Sequence, residues 1–255
     1  MKILKKILSI TIMTILISTS FSYGNSDKKY INEMIDIKSK TITENSEFFK
    51  ADIKYPYLEI KDKNINKNDT TYEIIKNINK EIYDYIIGFK DKIKEESSKY
   101  EKDYKEIYSK EKYNSVKYQY EAYSEYNVTY NKNNILSIPI TTYEFTGGAH
   151  GMTYLKSYNY NLLTGKEIKL KDIFSKNDYE NIINNYISKE IEKNKGLYFI
   201  GENGFKGINS NQEFYIEEDG LVVYFQLYDI APYYVGIPKF KIPWSQFKSN
   251  NIGIK

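Results

Sequence analysis

The sequence predicts an α+β fold: antiparallel sheets with two main amphipathic helices, in two closely packed α/β subdomains. Three observations carry this. Alternating tyrosine and isoleucine runs come in pairs across Asn- or Gly-containing turns, as in Tyr126–Tyr130, Asn131–Asn134 and Ile135–Phe145. Two stretches repeat apolar residues at three- and four-residue steps: Ile75, Ile78, Ile82, Ile86, Phe89 and Ile93, then Ile182, Ile183, Tyr186, Ile187 and Ile191. Strands follow one another through hairpin turns and not through a helix at every step, which favours antiparallel α+β over parallel α/β.

The elements follow in order. Lys2, Lys5 and Lys6 precede an apolar run of about eleven residues, Ile7 to Ile17, and small residues follow as far as Gly24. This is the pattern of a secretory signal peptide over 1–24, cut after Gly24 or after Ser22. The other reading, an uncleaved anchor, is disfavoured because the run is short for a membrane span. No cysteine follows it, so a lipoprotein anchor is not expected. Residues 25–37 are polar and read as a flexible leader.

Phe48 to Ile60 sets Ile53, Tyr55 and Tyr57 at period two, a half-buried strand in which Pro56 demands an edge or a bulge. Thr70-x-x-Glu73 reads as a capping box opening the first helix, and Tyr100, Tyr104 and Tyr108 prolong its stripe. Val116 to Tyr120 and Tyr126 to Tyr130 alternate, Asn131 to Asn134 turn, and Ile135 to Phe145 return. Tyr154 to Asn161 is a strand and Leu163 to Lys166 a turn, with Ile168 and Leu170 opening the next extended segment. Ser175-x-x-Asp178 resembles an acidic cap before the second helix. Phe214 to Glu218 and Leu221 to Leu227 form a hairpin about Asp219-Gly220, a type I′ signal, and Phe240 to Phe247 is the last extended piece.

Composition excludes several function classes. Lys+Arg is 37 and Asp+Glu 34, and every basic residue is lysine. Removing the three signal lysines leaves the mature chain near neutral, which argues against bulk attraction to nucleic acid or anionic lipid. Without arginine, bidentate phosphate or guanine recognition is unavailable. No cysteine and a single histidine remove disulfides and most zinc, iron–sulfur and copper sites; a calcium or magnesium site built from carboxylates stays open, though no cofactor or metal is expected. No G-x-S-x-G elbow, Walker loop or EF-hand loop is present.

Two stretches stand out. In YEFTGGAHGMTY, Gly147, Gly148 and Gly151 surround His150, the only histidine. They read either as a tight strand connection whose histidine bonds locally, or as a small binding feature exposing backbone N–H groups and His150. In YDIAPYYVGIP, Tyr228, Asp229, Pro232, Tyr233 and Tyr234 read either as a rigid loop closing the core, or as an exposed aromatic loop for a protein or glycan.

The stretches YEFTGGAHG, SYNYNLLTGKEIKLKDIF and EDGLVVYFQLYDIAPYYVGIPKFKIPW resemble a C-terminal bacterial extracytoplasmic domain of unknown function. IKYPYLEI and the long helix after it resemble that domain's usual companion, the domain of PdaC-type peptidoglycan deacetylases. On this resemblance 38–145 is a PdaC-like domain and 146–250 a domain like that of RsiV-type anti-sigma factors. Those factors bind lysozyme. Only six residues precede the apolar run, which leaves no anti-sigma segment, and one histidine cannot supply the Asp-His-His metal set of such a deacetylase. The resemblance therefore implies a non-catalytic protein, secreted or wall-associated, with no membrane span after cleavage. It would bind a lysozyme-like muramidase or peptidoglycan, and not nucleic acid. A carboxylate-dependent enzyme acting on wall glycan, and a structural envelope module, are the alternatives.

Overall fold

A long helix, a seven-stranded sheet, a three-stranded sheet and a second helix stack in that order in the computed structural model, which describes residues 30–62, 65–108, 116–175 and 178–247. The expected signal peptide lies outside the described residues. After a short helix, α1 (Ile31–Met34), strands β1 (Ile35–Asn45) and β2 (Phe49–Ile60) form an antiparallel ribbon. Helix α2 (Thr70–Tyr108) then crosses over, and β3 (Tyr120–Tyr126) pairs parallel with β2. β4 (Tyr130–Lys132), β5 (Ile135–Phe145), β6 (Met152–Asn161) and β7 (Lys166–Glu167) continue antiparallel. The second unit holds α3 (Leu170–Ile173), α4 (Tyr179–Lys193) and the sheet β10-β9-β8, from β8 (Phe214–Ile216), β9 (Gly220–Tyr224) and β10 (Lys239–Pro243).

The α+β class and both main helices stand as expected. Ile75, Ile78, Ile82, Ile86 and Ile93 are buried on the large sheet, each worth about 2 kcal/mol relative to exposure. β5 is covered on both faces, which is why ILSIPI is nearly all apolar: Leu136, Ile138 and Ile140 belong to the core under α2. Ser137, on the opposite face, accepts a bond from Ile216 N–H in the small sheet at 2.9 Å. The small sheet is itself covered twice. Ile216, Leu221 and Val223 pack towards α4, while Tyr215, Val222 and Tyr224 pack with Leu155 of β6.

Several local expectations are corrected. The 25–37 leader is folded from residue 31 on: Ile31 and Ile35 are buried and β1 starts at Ile35. Asn32 holds this segment down, accepting the Asn134 N–H and donating to the Ile135 carbonyl at 3.0 Å. The burial alternation of β2 shifts after Ile53, so that Pro56 and Leu58 are buried and Tyr57 is exposed. The reason is a change of neighbour. β3 pairs with β2 only as far as Ile53, and beyond it α2 covers the strand's free edge. Leu58 N–H points at α2, so the Pro56 nitrogen, two residues earlier, faces that same side and breaks no bond to β1.

The helix cap is Asp69, not Thr70; its carboxylate accepts Thr71 N–H at 2.7 Å. The segment at Ile168 and Leu170 turns into α3 after two strand residues. The β8–β9 hairpin turns about Glu218-Asp219, with Glu217 N–H bonding Gly220 O at 2.9 Å. Gly220 has no positive φ; it is needed because a Cβ there would sit 2.6 Å from the Ile242 carbonyl of β10. The hairpin β5–β6 spans the 145/146 boundary within one sheet, so the first core includes Tyr158, Tyr160 and Leu162.

Candidate functional site

The two stretches singled out in the sequence meet on one surface. After β5 the chain turns at Gly147 and Gly148, whose φ angles are +91° and +92°, a region side chains avoid. Gly147 also backs onto the Tyr118 ring, 3.2 Å from where a Cβ would stand. Gly151 is buried, and a Cβ there would collide with the Glu144 carbonyl and come within 2.5 Å of the Tyr143 hydroxyl. The turn is thus built backbone against ring, and it leaves His150 exposed.

The His150 ring stacks on Tyr233, centroids 4.0 Å apart at 23°. Both side chains converge on one atom. The Tyr233 hydroxyl donates to the Gly151 carbonyl at 3.0 Å, and His150 Nδ1 lies 3.0 Å from that oxygen. A carbonyl only accepts, so Nδ1 carries the proton in this contact and Nε2 is left as the acceptor in the neutral ring. Burial, then the Glu121 charge, pushes the nearby Tyr143 phenol up, so it stays a neutral hydroxyl.

The second loop is braced from within. Tyr228 takes φ +69°, is exposed, and its ring lies 5.9 Å from that of Tyr233. Asp229 accepts Gln226 N–H at 2.8 Å, so its carboxylate closes the turn that carries Tyr228. Pro232 precedes a short 3₁₀ turn, Tyr233–Val235, accepting Val235 N–H at 3.0 Å. Tyr234 is 70% exposed, and its hydroxyl reaches Gly196 O at 3.2 Å. Of the nine residues singled out, His150, Tyr228 and Tyr234 present exposed aromatic surface, and Tyr233 joins the loops. Gly147, Gly148, Gly151, Asp229 and Pro232 shape the backbone beneath.

Sequence reasoning missed the polar seam beside this surface. A cleft of about 660 Å³ opens between β6 and the small sheet. Gln226 pairs with the Leu155 backbone as a strand would: its side-chain oxygen accepts Leu155 N–H at 3.1 Å and its amide donates to Leu155 O at 2.7 Å. That amide also reaches Glu213 at 2.6 Å. Ser157 donates to the Tyr224 hydroxyl at 2.9 Å, which donates to Glu213 at 3.3 Å. Burial holds the Tyr224 phenol far above its usual range, so it acts as a neutral donor. No local pattern marks Gln226, because its partner is 71 residues away. Among the described residues, no group of three or more His, Asp or Glu is placed to hold a metal ion, and no helix is long and apolar enough to cross a membrane.

Residues 42–153 match the family model described as Deacetylase PdaC, and residues 171–245 the model described as Protein of unknown function (DUF3298). Among curated proteins, the chain is similar to peptidoglycan-N-acetylmuramic acid deacetylase PdaC of Bacillus subtilis (strain 168), 27% identical over 129 residues. That match takes in 49% of this chain and only 28% of the deacetylase. Among solved structures, a DUF3298 family member of Bacteroides fragilis NCTC 9343 shares the fold with a TM-score of 0.64 at 21% identity, over 86% of this chain and 94% of that one. Another, from Pseudomonas aeruginosa PAO1, gives 0.52 at 14% identity over 86% and 93%. The chain therefore joins a PdaC-like segment to a DUF3298 segment, in that order, on the fold of solved DUF3298 family members.

Proposed function

We propose that this chain is a secreted or wall-associated, non-catalytic binding protein of the cell envelope, and that its ligand is a lysozyme-like muramidase. The observation that carries this reading is the union of two distant loops into one exposed aromatic surface, His150 on Tyr233 with Tyr228 and Tyr234 at its sides. Rigid aromatic anchors on a braced backbone suit a protein partner, since they bury much area for little lost rotamer freedom. A single histidine in the sequence argues against a deacetylase metal set. The envelope setting follows from the PdaC-like segment.

A second reading, peptidoglycan itself as ligand, is favoured by the substrate named for the Bacillus subtilis relative. One titration separates them: the protein against c-type lysozyme, with muramidase activity followed in parallel, and against purified cell wall. Binding to lysozyme that falls at least about tenfold in His150→Ala and Tyr234→Ala supports the first reading. Binding to wall alone supports the second. Binding to neither ends both.

A further inference from the structure

We propose that a groove between β2 and α2 binds an anionic oligosaccharide, independently of any ligand at the His150 surface. The groove measures about 550 Å³ and is walled by Tyr55 and Tyr57 of β2 and by Tyr72 and Tyr83 of α2. It exists because β3 stops pairing with β2 after Ile53. Past that point, among the described residues, no strand pairs with β2 on the side away from β1, and α2 closes only the strand edge, through Asn79 on the Leu58 backbone. Those bonds also satisfy the polar backbone at Leu58, so phenol rings and lysines dominate the surface offered to a ligand.

The rings are open. Tyr57 is 39% and Tyr83 46% exposed, and the Tyr55 and Tyr83 rings lie 6.1 Å apart. Among the described residues, no hydrogen bond engages the hydroxyl of any of the four. A pyranose presents C–H faces that pack on an aromatic plane and hydroxyls that seek polar tips. Tyrosine supplies both on a stiff side chain.

Charge selects among sugars. Lys40, Lys76 and Lys80 line the groove against one carboxylate, Glu59, which already lies 3.9 Å from Lys38. Lys76 is shared with Glu73 at 3.1 Å, and Lys80 pairs with Asp84. Lys40 has no carboxylate in ion-pair range among the described residues; its ammonium lies 5.0 Å over the Tyr57 ring. A cation beside a stacking plane complements a sugar that carries a carboxylate, and a neutral sugar would leave it unanswered.

The test is equilibrium dialysis of the full chain against hyaluronan hexasaccharide, with chitohexaose as the neutral probe of equal length. The acidic hexasaccharide is expected to bind more tightly, and less so as salt rises. Tyr57→Ala and Tyr83→Ala should each weaken it about tenfold, and Lys40→Gln should remove the preference over chitohexaose. His150→Ala and Tyr234→Ala should leave it unchanged. Both tyrosines are exposed, so an unaltered thermal midpoint certifies the fold of each variant. Absence of binding, equal affinity for the two probes, or unchanged binding in both tyrosine variants overturns the proposal. So does a concentration-dependent dimer lost in Tyr83→Ala, which would assign the groove to a second copy of the chain.

Discussion

Asn79 holds Leu58 as a neighbouring strand would. Its side-chain oxygen accepts the Leu58 N–H and its amide donates to the Leu58 carbonyl, both at 2.8 Å. The helix thereby satisfies an edge of β2 that β3 leaves unpaired, and it fixes how the first turns of α2 lie along the ribbon. Gln226, from the second unit, does the same for Leu155 of β6 in the large sheet. Both joints use one amide side chain to replace two bonds of a sheet ladder.

Asn79→Ala strands a partly buried donor and acceptor and is expected to cost about 2 kcal/mol. Urea unfolding measures it, with Asn77→Ala, an exposed position on the same helix, as the comparison expected to stay within about 0.5 kcal/mol. Equal effects at the two positions would deny Asn79 its role.

The glycines of the 147–151 turn should differ in kind. A Cβ at Gly148 meets nothing within 4 Å, so Gly148→Ala costs only the unfavourable φ, about 1 kcal/mol. Gly151→Ala drives a Cβ into the Glu144 carbonyl and the Tyr143 ring, and should cost about 3 kcal/mol. It should also separate His150 from Tyr233. Thermal unfolding of the two variants ranks them, and the reverse order would contradict the packing described.

His150 being the sole histidine, its nitrogen spectrum is unambiguous. The neutral ring is expected to carry its proton on Nδ1, held by the Gly151 carbonyl, with Nε2 free to accept. Long-range proton–nitrogen correlation reads the tautomer directly. Protonation on Nε2 instead would mean that the 3.0 Å contact is not a hydrogen bond.

The Glu44–Lys90 pair should appear on the acid side of the stability profile. Lys90 is buried, with Glu44 at 2.8 Å and Asp91 at 2.7 Å. The Lys90 hydrogen bond, followed by that of Lys94, holds the Glu44 carboxyl below its usual 4.5. A depressed carboxylate stabilises the fold above its unfolded pKa, and that stability disappears as pH falls through the folded value. Glu44→Gln should therefore lower stability at pH 7, and the gap should close as pH falls below the usual 4.5 and through the lower folded value of the Glu44 carboxyl. A constant gap across that window would remove Glu44 from the acid transition.

Much of the fold is written in local periods. The isoleucine stripe of α2, the stripe of α4 and the Ile135–Phe145 return strand lie where their spacing puts them, because a helix or strand that buries one face must repeat at 3.6 or 2 residues. The misreadings share a cause. Tyr57 is exposed, Gly220 meets Ile242, and Ile35 is buried at the head of a strand because of neighbours far along the chain.

The candidate site divides the same way. Composition and spacing by themselves marked the glycine-histidine turn and the aromatic loop, and restricted the chemistry through one histidine, no cysteine and no arginine. Only the tertiary structure decided that Tyr233 and Gly151, 82 residues apart, share a hydrogen bond. It also decided that β3 stops short beside β2 and opens a tyrosine groove. Local patterns report which face of an element is buried. What lies against that face is set by packing between segments distant in sequence, and no local period encodes it.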